Sequence, residues 1–452
     1  IATSIPHDKE FLGDAGFIID FQASGQLAKA AIQLLGDDEL RTAMTGRAYE
    51  RSRAFLWENV AIAYARLFGT TTDTTLCYTV PEVSLQHLRF MTDSNGLLQF
   101  CIICTPDKDS GYTLDDNARA LSVTALHYEL MHDISDLELL GTYLRFIECC
   151  QLPNGRFLNL VTRDGEFDKV NSTINLDDAN GRAIAALGFL ASREHIPGSY
   201  RGRAEQCLQK TQHWLPSWSA PRAMALAIRG LHEWNTVYRS EKITAISDQL
   251  ARRLADIYTA TADEHWQWFE PYLTYKNAVL PESLLLAYRE TGNLLYRDIA
   301  KASFNFLLAN TFTGNRFKPV SNRGWRHRDQ SVADYGEQPI EAAATIQALE
   351  QFYRTFQDNR YRDLIDVTFS WFLGNNHLNQ VVYNSATGGC HDGIEEKQIN
   401  INQGAESTIC FLQSQLLVLR LKRETPSGEV SGTTEQYRLP DSSLARPFNR
   451  SA

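Results

Sequence analysis

The 452-residue chain has no basic tract, no apolar run near 18 residues and no second cysteine pair beside its single Cys-x-x-Cys. Each absence excludes something. With 44 Lys and Arg against 54 Asp and Glu, the formal charge is −10, which argues against nucleic acid or an anionic membrane as partner. The short apolar runs predict no membrane span. Cys101 and Cys104 lack the neighbouring ligands that zinc requires. They are expected, like Cys77, Cys149, Cys150, Cys207, Cys390 and Cys410, to be buried free thiols. The sequence as read carries no expected secretory leader, and a reducing, cytoplasmic location is expected. No Ser-His-Asp or phosphate-loop signature stands out, and neither cofactor nor metal is implied. The chain starts at Ile1 without Met and reads as a piece of something longer.

What is present is a globular composition, 43% hydrophobic and 11% aromatic, with a repeat in it. Six segments begin with a polar signature and continue as small or apolar helix. They are "DDNARALSVTALHYEL" from Asp115, "DDANGRAIAALGFLAS" from Asp177, "APRAMALAIRGLHEW" from Ala220, "PESLLLAYRET" from Pro281, "QPIEAAATIQALEQFY" from Gln338 and "QGAESTICFLQSQLLVL" from Gln403. Their markers, Asp116, Asp178, Arg222, Glu282, Glu341 and Glu406, are 62, 44, 60, 59 and 65 residues apart. A more amphipathic helix is predicted before each, over 82–92, 136–150, 200–215, 241–259, 294–310 and 359–376. Six inner and six outer helices predict a mainly α fold, an (α/α)6 toroid of six helical hairpins. The connections "LPNGRFLNLVTRDGEF", "DEHWQWFEPYLTYKNA", "TGNRFKPVSNRGW" and "NNHLNQVVYNSATGGCHDG" predict short β-hairpins. In such a toroid these gather where the inner helices begin, making one rim acidic, aromatic and concave.

Carboxylates at that rim suit glycoside chemistry. One carboxylic acid protonates the leaving oxygen and a second carboxylate acts as base or nucleophile, ~5–5.5 Å away for retention and ~6.5–9.5 Å for inversion. Asp116, Asp178, Glu341 and Glu406 are the expected acid/base set, with Arg119 and Arg182 to orient them. Asp115, Asp177, Glu337, Tyr112, Tyr335, Trp268 and His391 are the expected substrate contacts. The competing reading is helix capping, which accounts for one aspartate of each pair and leaves the other free for a ligand. A calcium site completed by Asn117 or Asn180 is a further alternative. Isoprenoid chemistry would need Asp-Asp-x-x-Asp or a zinc triad, and "DDNAR" and "DDANG" supply neither.

Two resemblances add to this. "IAT", "PHDKEFLGDAGFII", "LAKAAIQLL", "DDELRTAMTGRAYERS" and "WENVAIAYARLF" resemble the C-terminal end of family 4 glycosyltransferases of the GT-B fold. Residues 1–68 would then be a small α/β remnant without that family's donor-binding residues, so a nucleotide sugar would be a partner of the full-length protein only. "HLRFMTDSNGLLQF", "DKDSGYTLDDNARAL", "DDANGRAIAALG", "EQPIEAAA" and "NQGAEST" resemble the helical domain fused behind such transferases in bacteria, itself similar to the six-hairpin glycosidase superfamily. The expected organisation is a GT-B remnant (1–68), a Thr-rich linker (69–81), the toroid (82–423) and a disordered tail (424–452). The resemblance implies a carbohydrate-active protein whose toroid binds and processes an oligosaccharide or polysaccharide. Alternatives are a non-catalytic glycan-binding module and an epimerase-like enzyme with His391, His327 or His87 as base.

Overall fold

The computed structural model describes residues 1–71, 77–330, 333–424 and 436–438. Residues 1–69 pair Ala2–Thr3 in parallel with Ile18–Ile19 around helix α1 (Pro6–Leu12). Helices α2 (Ser24–Gly36), α3 (Asp38–Ser52) and α4 (Trp57–Gly69) follow. Most of the expected tail, and the centre of the expected linker, lie outside the described residues. Gln436–Arg438 is described, as an extended segment antiparallel to Cys77–Thr79.

The rest alternates outer and inner helices. The outer set is α5 (Gln86–Phe90), α7 (Asp136–Cys150), α9 (Gly198–Thr211), α11 (Glu241–Thr261), α13 (Leu294–Thr311) and α15 (Asn359–Ser370). The inner set is α6 (Leu114–Met131), α8 (Asp177–Ser192), α10 (Pro221–Tyr238), α12 (Val279–Thr291), α14 (Pro339–Phe356) and α16 (Ala405–Glu424). Each inner helix packs on the next, and α16 packs back on α6, so the ring closes. Small residues permit this: a Cβ on Gly188 of α8 would collide with the Gly230 carbonyl of α10, and one on Gly230 with that of Ile184. Outer helix α5 is shorter than its pattern predicts, because the Asp-Ser-Asn-Gly turn at 93–96 folds the chain back to bridge Thr92 with Leu97.

Hairpins form as expected at Phe312–Thr313 with Arg316–Phe317 and at Tyr383–Asn384 with Gly389–Cys390. The segment "DEHWQWFEPYLTYKNA" does not fold on itself. Its Tyr272–Leu273 pairs with Arg326–His327 of the next connection, leaving Thr274–Asn277 to turn inward. The segment "LPNGRFLNLVTRDGEF" folds on itself twice, bridging Gln151 with Phe157 and Val161 with Phe167, and its Leu160–Val161 also pairs with Tyr112–Thr113 ahead of α6.

The N-terminal unit docks on the last hairpin. Arg53 donates to the Val381 carbonyl at 2.6 Å, Asn59 accepts the Val381 N–H at 2.8 Å, and Ile62 joins the toroid core. Cys101, Cys150, Cys207, Cys390 and Cys410 are buried thiols, whereas Cys149 is exposed and Cys104 half-buried, unlike the expectation for both.

Candidate functional site

The helix starts do not use their aspartates as caps. Thr113 caps α6 by accepting the Asp116 N–H at 3.0 Å, and α8 begins without a side-chain cap. Asp115, Asp116, Asp177 and Asp178 all sit in the first turn, where the helix dipole favours negative charge. The neighbouring asparagines are committed to the backbone. Asn117 brackets Leu97 and Asn180 brackets Phe157, each taking that residue's N–H and carbonyl, so neither amide is free to complete a calcium site.

A cleft of about 350 Å³ opens where α6, α14 and α16 begin. Its walls carry Asp115, Asp116, Glu337, Asp392, Glu395 and Glu406. Arg119 lies beneath. Its Nη1 donates to Glu406 Oε2 at 2.5 Å and to Asp116 Oδ1 at 3.5 Å, while its Nε is 3.1 Å from Asp115 Oδ1. Arg182 donates to the other Asp115 oxygen at 2.6 Å. Burial opposes the Arg119 charge, but Asp115, Glu406 and Asp116 together hold it above the usual guanidinium range. Asp116, 5% exposed, is pushed up to about 7 by burial, against the pull of Arg119. Burial also raises Asp392, whose Oδ1 accepts the Gly404 N–H at 2.9 Å.

The opposite wall is built around Glu337. Its Oε2 accepts the Trp371 indole N–H at 2.6 Å and its Oε1 faces His377 Nδ1 at 3.0 Å. His377 Nε2 faces the Glu395 carbonyl at 2.9 Å, so that nitrogen carries a hydrogen. The hydrogen bond to Glu337 raises His377 above the ordinary imidazole range. The half-exposed Tyr335 ring lies 5.2 Å from the His377 ring.

Other predicted residues lie elsewhere. Asp178 accepts the Tyr275 hydroxyl, and Glu341 accepts the Lys276 N–H and the Asn277 amide, the latter at 3.0 Å. Arg222 holds the Tyr275 carbonyl at 2.8 Å. Three of the six repeat markers thus clamp the inward turn Thr274–Asn277, and neither Asp178 nor Glu341 lines the cleft. Burial pushes Glu341 up to about 7. Asp177 faces an outer groove, 3.9 Å from Arg156. The Tyr112 side chain is buried and donates to Asp93 at 2.7 Å. Trp268 is fully buried against Phe269 and Phe306, so no sugar can stack on it. His391 is fully buried, 2.6 Å from Arg53 and 2.9 Å from the Ile401 carbonyl, and is held down to about 3 by burial. His87 is buried on the Gln403 carbonyl. His327 packs on Tyr272.

Sequence reasoning missed Asn159, Glu395, His377 and the turn Thr274–Asn277. The polar "TYKN" after an aromatic run was the available signal for the last.

No protein-family model matches the sequence, and neither does any curated protein. Solved structures do. The chain is similar to cellobiose 2-epimerase from Bacillus thermoamylovorans, with TM-score 0.58 and 11% identity over 81% of this chain and 100% of that one. A D-mannose isomerase matches at TM-score 0.55 and 13% identity, over 74% and 96% of the two chains. An inactive variant of an α-1,6-mannanase from Salegentibacter, bound to α-1,6-mannotetrose, matches at 0.52 and 14%, also over 74% and 96%. The fold is an (α/α)6 toroid of six helical hairpins.

Proposed function

We propose that the protein is a saccharide-processing enzyme whose cleft works by carboxylate acid/base chemistry, with Asp116 as the acid and Glu406 as its partner. One observation carries the assignment. Both carboxylates reach the same Arg119 nitrogen, at 3.5 and 2.5 Å, so those two oxygens lie within about 6 Å of each other. That suits the ~5–5.5 Å separation of a retaining pair better than the wider inverting one. Burial pushes Asp116 up to about 7, the direction that a general acid requires. Glu406 presents its carboxylate to the cleft with 39% of the side chain exposed. Glu337, Asp115 and Tyr335 are the proposed saccharide contacts, and Arg182 orients Asp115. The bound saccharide in the mannanase structure and the sugar substrates named for the other two relatives support a saccharide as ligand.

The test is turnover of an oligosaccharide panel by Asp116→Asn and Glu406→Gln. Both variants should lose activity, and Asp116→Asn should recover part of it on aryl glycosides, whose leaving groups need no proton. Activity surviving both changes overturns the assignment. Glycan binding without turnover in the wild type would favour the non-catalytic module. The epimerase-like reading rests on His377, which reaches the cleft through Glu337, and predicts deuterium uptake from solvent at the sugar carbon next to the carbonyl.

Residues 1–68 fit the reading of a glycosyltransferase-associated protein. Their parallel strand pair is crossed by a helix, and α2 and α4 expose Leu27, Ile32, Leu35, Trp57 and Leu67, the apolar faces expected of a unit that packs on a larger transferase domain. A nucleotide sugar would be bound by that domain, in a bacterial cytoplasm.

A further inference from the structure

Beneath the carboxylate cleft, on the other side of Arg119, lies a second cavity of about 60 Å³. It runs from Arg119, Arg182 and Lys276 to Phe189, Gln351 and Arg420 in the C-terminal halves of their helices, so it faces the opposite mouth of the ring. A water needs about 10–15 Å³ of such space, so the cavity holds about four waters or one small polyatomic ion. We propose that this cavity is a second binding site, which takes a small oxyanion on Lys276 and the Arg182 and Arg229 guanidinium groups.

Lys276 is presented deliberately. It lies on the inward turn, at a φ of 47° that L-residues seldom adopt, and Glu341, Asp178 and Arg222 hold its backbone and neighbours there. Among the described residues its ammonium has no hydrogen-bond or ion-pair partner. The nearby carboxylates are taken: Glu350 by Arg354 and Arg420 at 2.9 and 2.6 Å, Glu233 by Arg193, and Asp115 by Arg182 at 2.6 Å. Glu282 faces Arg229 at 3.6 Å. Arg182 Nε is itself buried without a hydrogen-bond partner. Burial, then Arg182, Arg119 and Arg229, hold the lysine amine down to about 7, the response of an ammonium set among cations. A phosphate or carboxylate group supplies the missing negative charge and acceptor oxygens.

The site is distinct from the saccharide cleft and does not depend on its assignment. Titration calorimetry of the full chain with sodium phosphate and with sodium acetate, at constant ionic strength, tests it. Saturable binding of either supports the proposal, and the preferred anion tells whether the natural group is phosphoryl or carboxylate. Lys276→Met should weaken binding at least tenfold, and Lys276→Arg should retain most of it. As a check independent of variant folding, ¹³C-methylated wild-type protein should show one lysine resonance, the one missing from Lys276→Arg, moving on anion addition. Absence of binding by both anions, unchanged affinity in Lys276→Met, or an unmoved resonance overturns it.

Discussion

Helices α6 and α8 open on the same residues, Leu-Asp-Asp, and use them differently. On α6, Asp116 faces the cleft and Asp115 ties Arg119 to Arg182. On α8, Asp178 is spent on the Tyr275 hydroxyl and Asp177 faces outward. The turn Thr274–Asn277 makes the difference, because it covers α8, α10 and α14 and leaves the junction of α6 with α16 open. Position in a repeat thus fixes where a carboxylate stands. A neighbouring insertion fixes whether a ligand can reach it.

That contrast can be broken experimentally. The largest effect is expected on α6: Asp116→Asn or Glu406→Gln should cost about 10²–10⁴-fold in turnover, measured as kcat/KM, whereas Asp178→Asn should cost less than tenfold. A reversal would move the chemistry to α8. Next comes the seat of α8 itself. Gly188→Ala forces a methyl group into the backbone of α10 and should destabilise the fold by about 1–3 kcal/mol or more, read by denaturant unfolding. Tyr275→Phe removes the hydroxyl that Asp178 accepts and should cost about 1–3 kcal/mol in stability, with kcat/KM nearly unchanged.

The smallest effect is in pH dependence. Asp116, Glu341 and Asp366 are each pushed up to about 7 by burial. A carboxyl raised on folding contributes stability below its unfolded pKa, near 4, and loses it as pH rises through about 7. Wild-type thermal stability should therefore fall between about pH 4 and 7. Glu341→Gln and Asp366→Asn should each flatten that fall by on the order of 1 kcal/mol without altering the pH profile of turnover. Asp116→Asn should flatten it and lower turnover together.

Much of this was legible in the sequence. Alanine- and glycine-rich periodicity at near-regular spacing announces inner helices of a ring, and all six starts fall within a few residues of their markers. Asp116, Glu406 and Arg119 were legible as rim residues, but in one set with Asp178 and Glu341, because the order of the helix starts does not show which part of the rim the turn Thr274–Asn277 covers. What escaped depends on contacts distant in sequence. His391 sits in a glycine-rich segment that suggests exposure, but Arg53, 338 residues earlier, is packed against it. Trp268 looked like a rim aromatic, and only three-dimensional packing shows it beneath Phe306. The clamp on Lys276 joins residues from four separate helical hairpins, which no local pattern encodes.

Ring closure also has a consequence for synthesis. The bond from Arg119 to Glu406 spans 287 residues, so the cleft lies at the seam where the earliest and latest helices of the barrel meet. A ribosome delivers α6 long before α16. During that interval Arg119 and the first aspartate pair are made but have no partner across the seam. The cleft is therefore the last part of the toroid to be completed, and a chain truncated before Glu406 would lack α16 and have no assembled cleft.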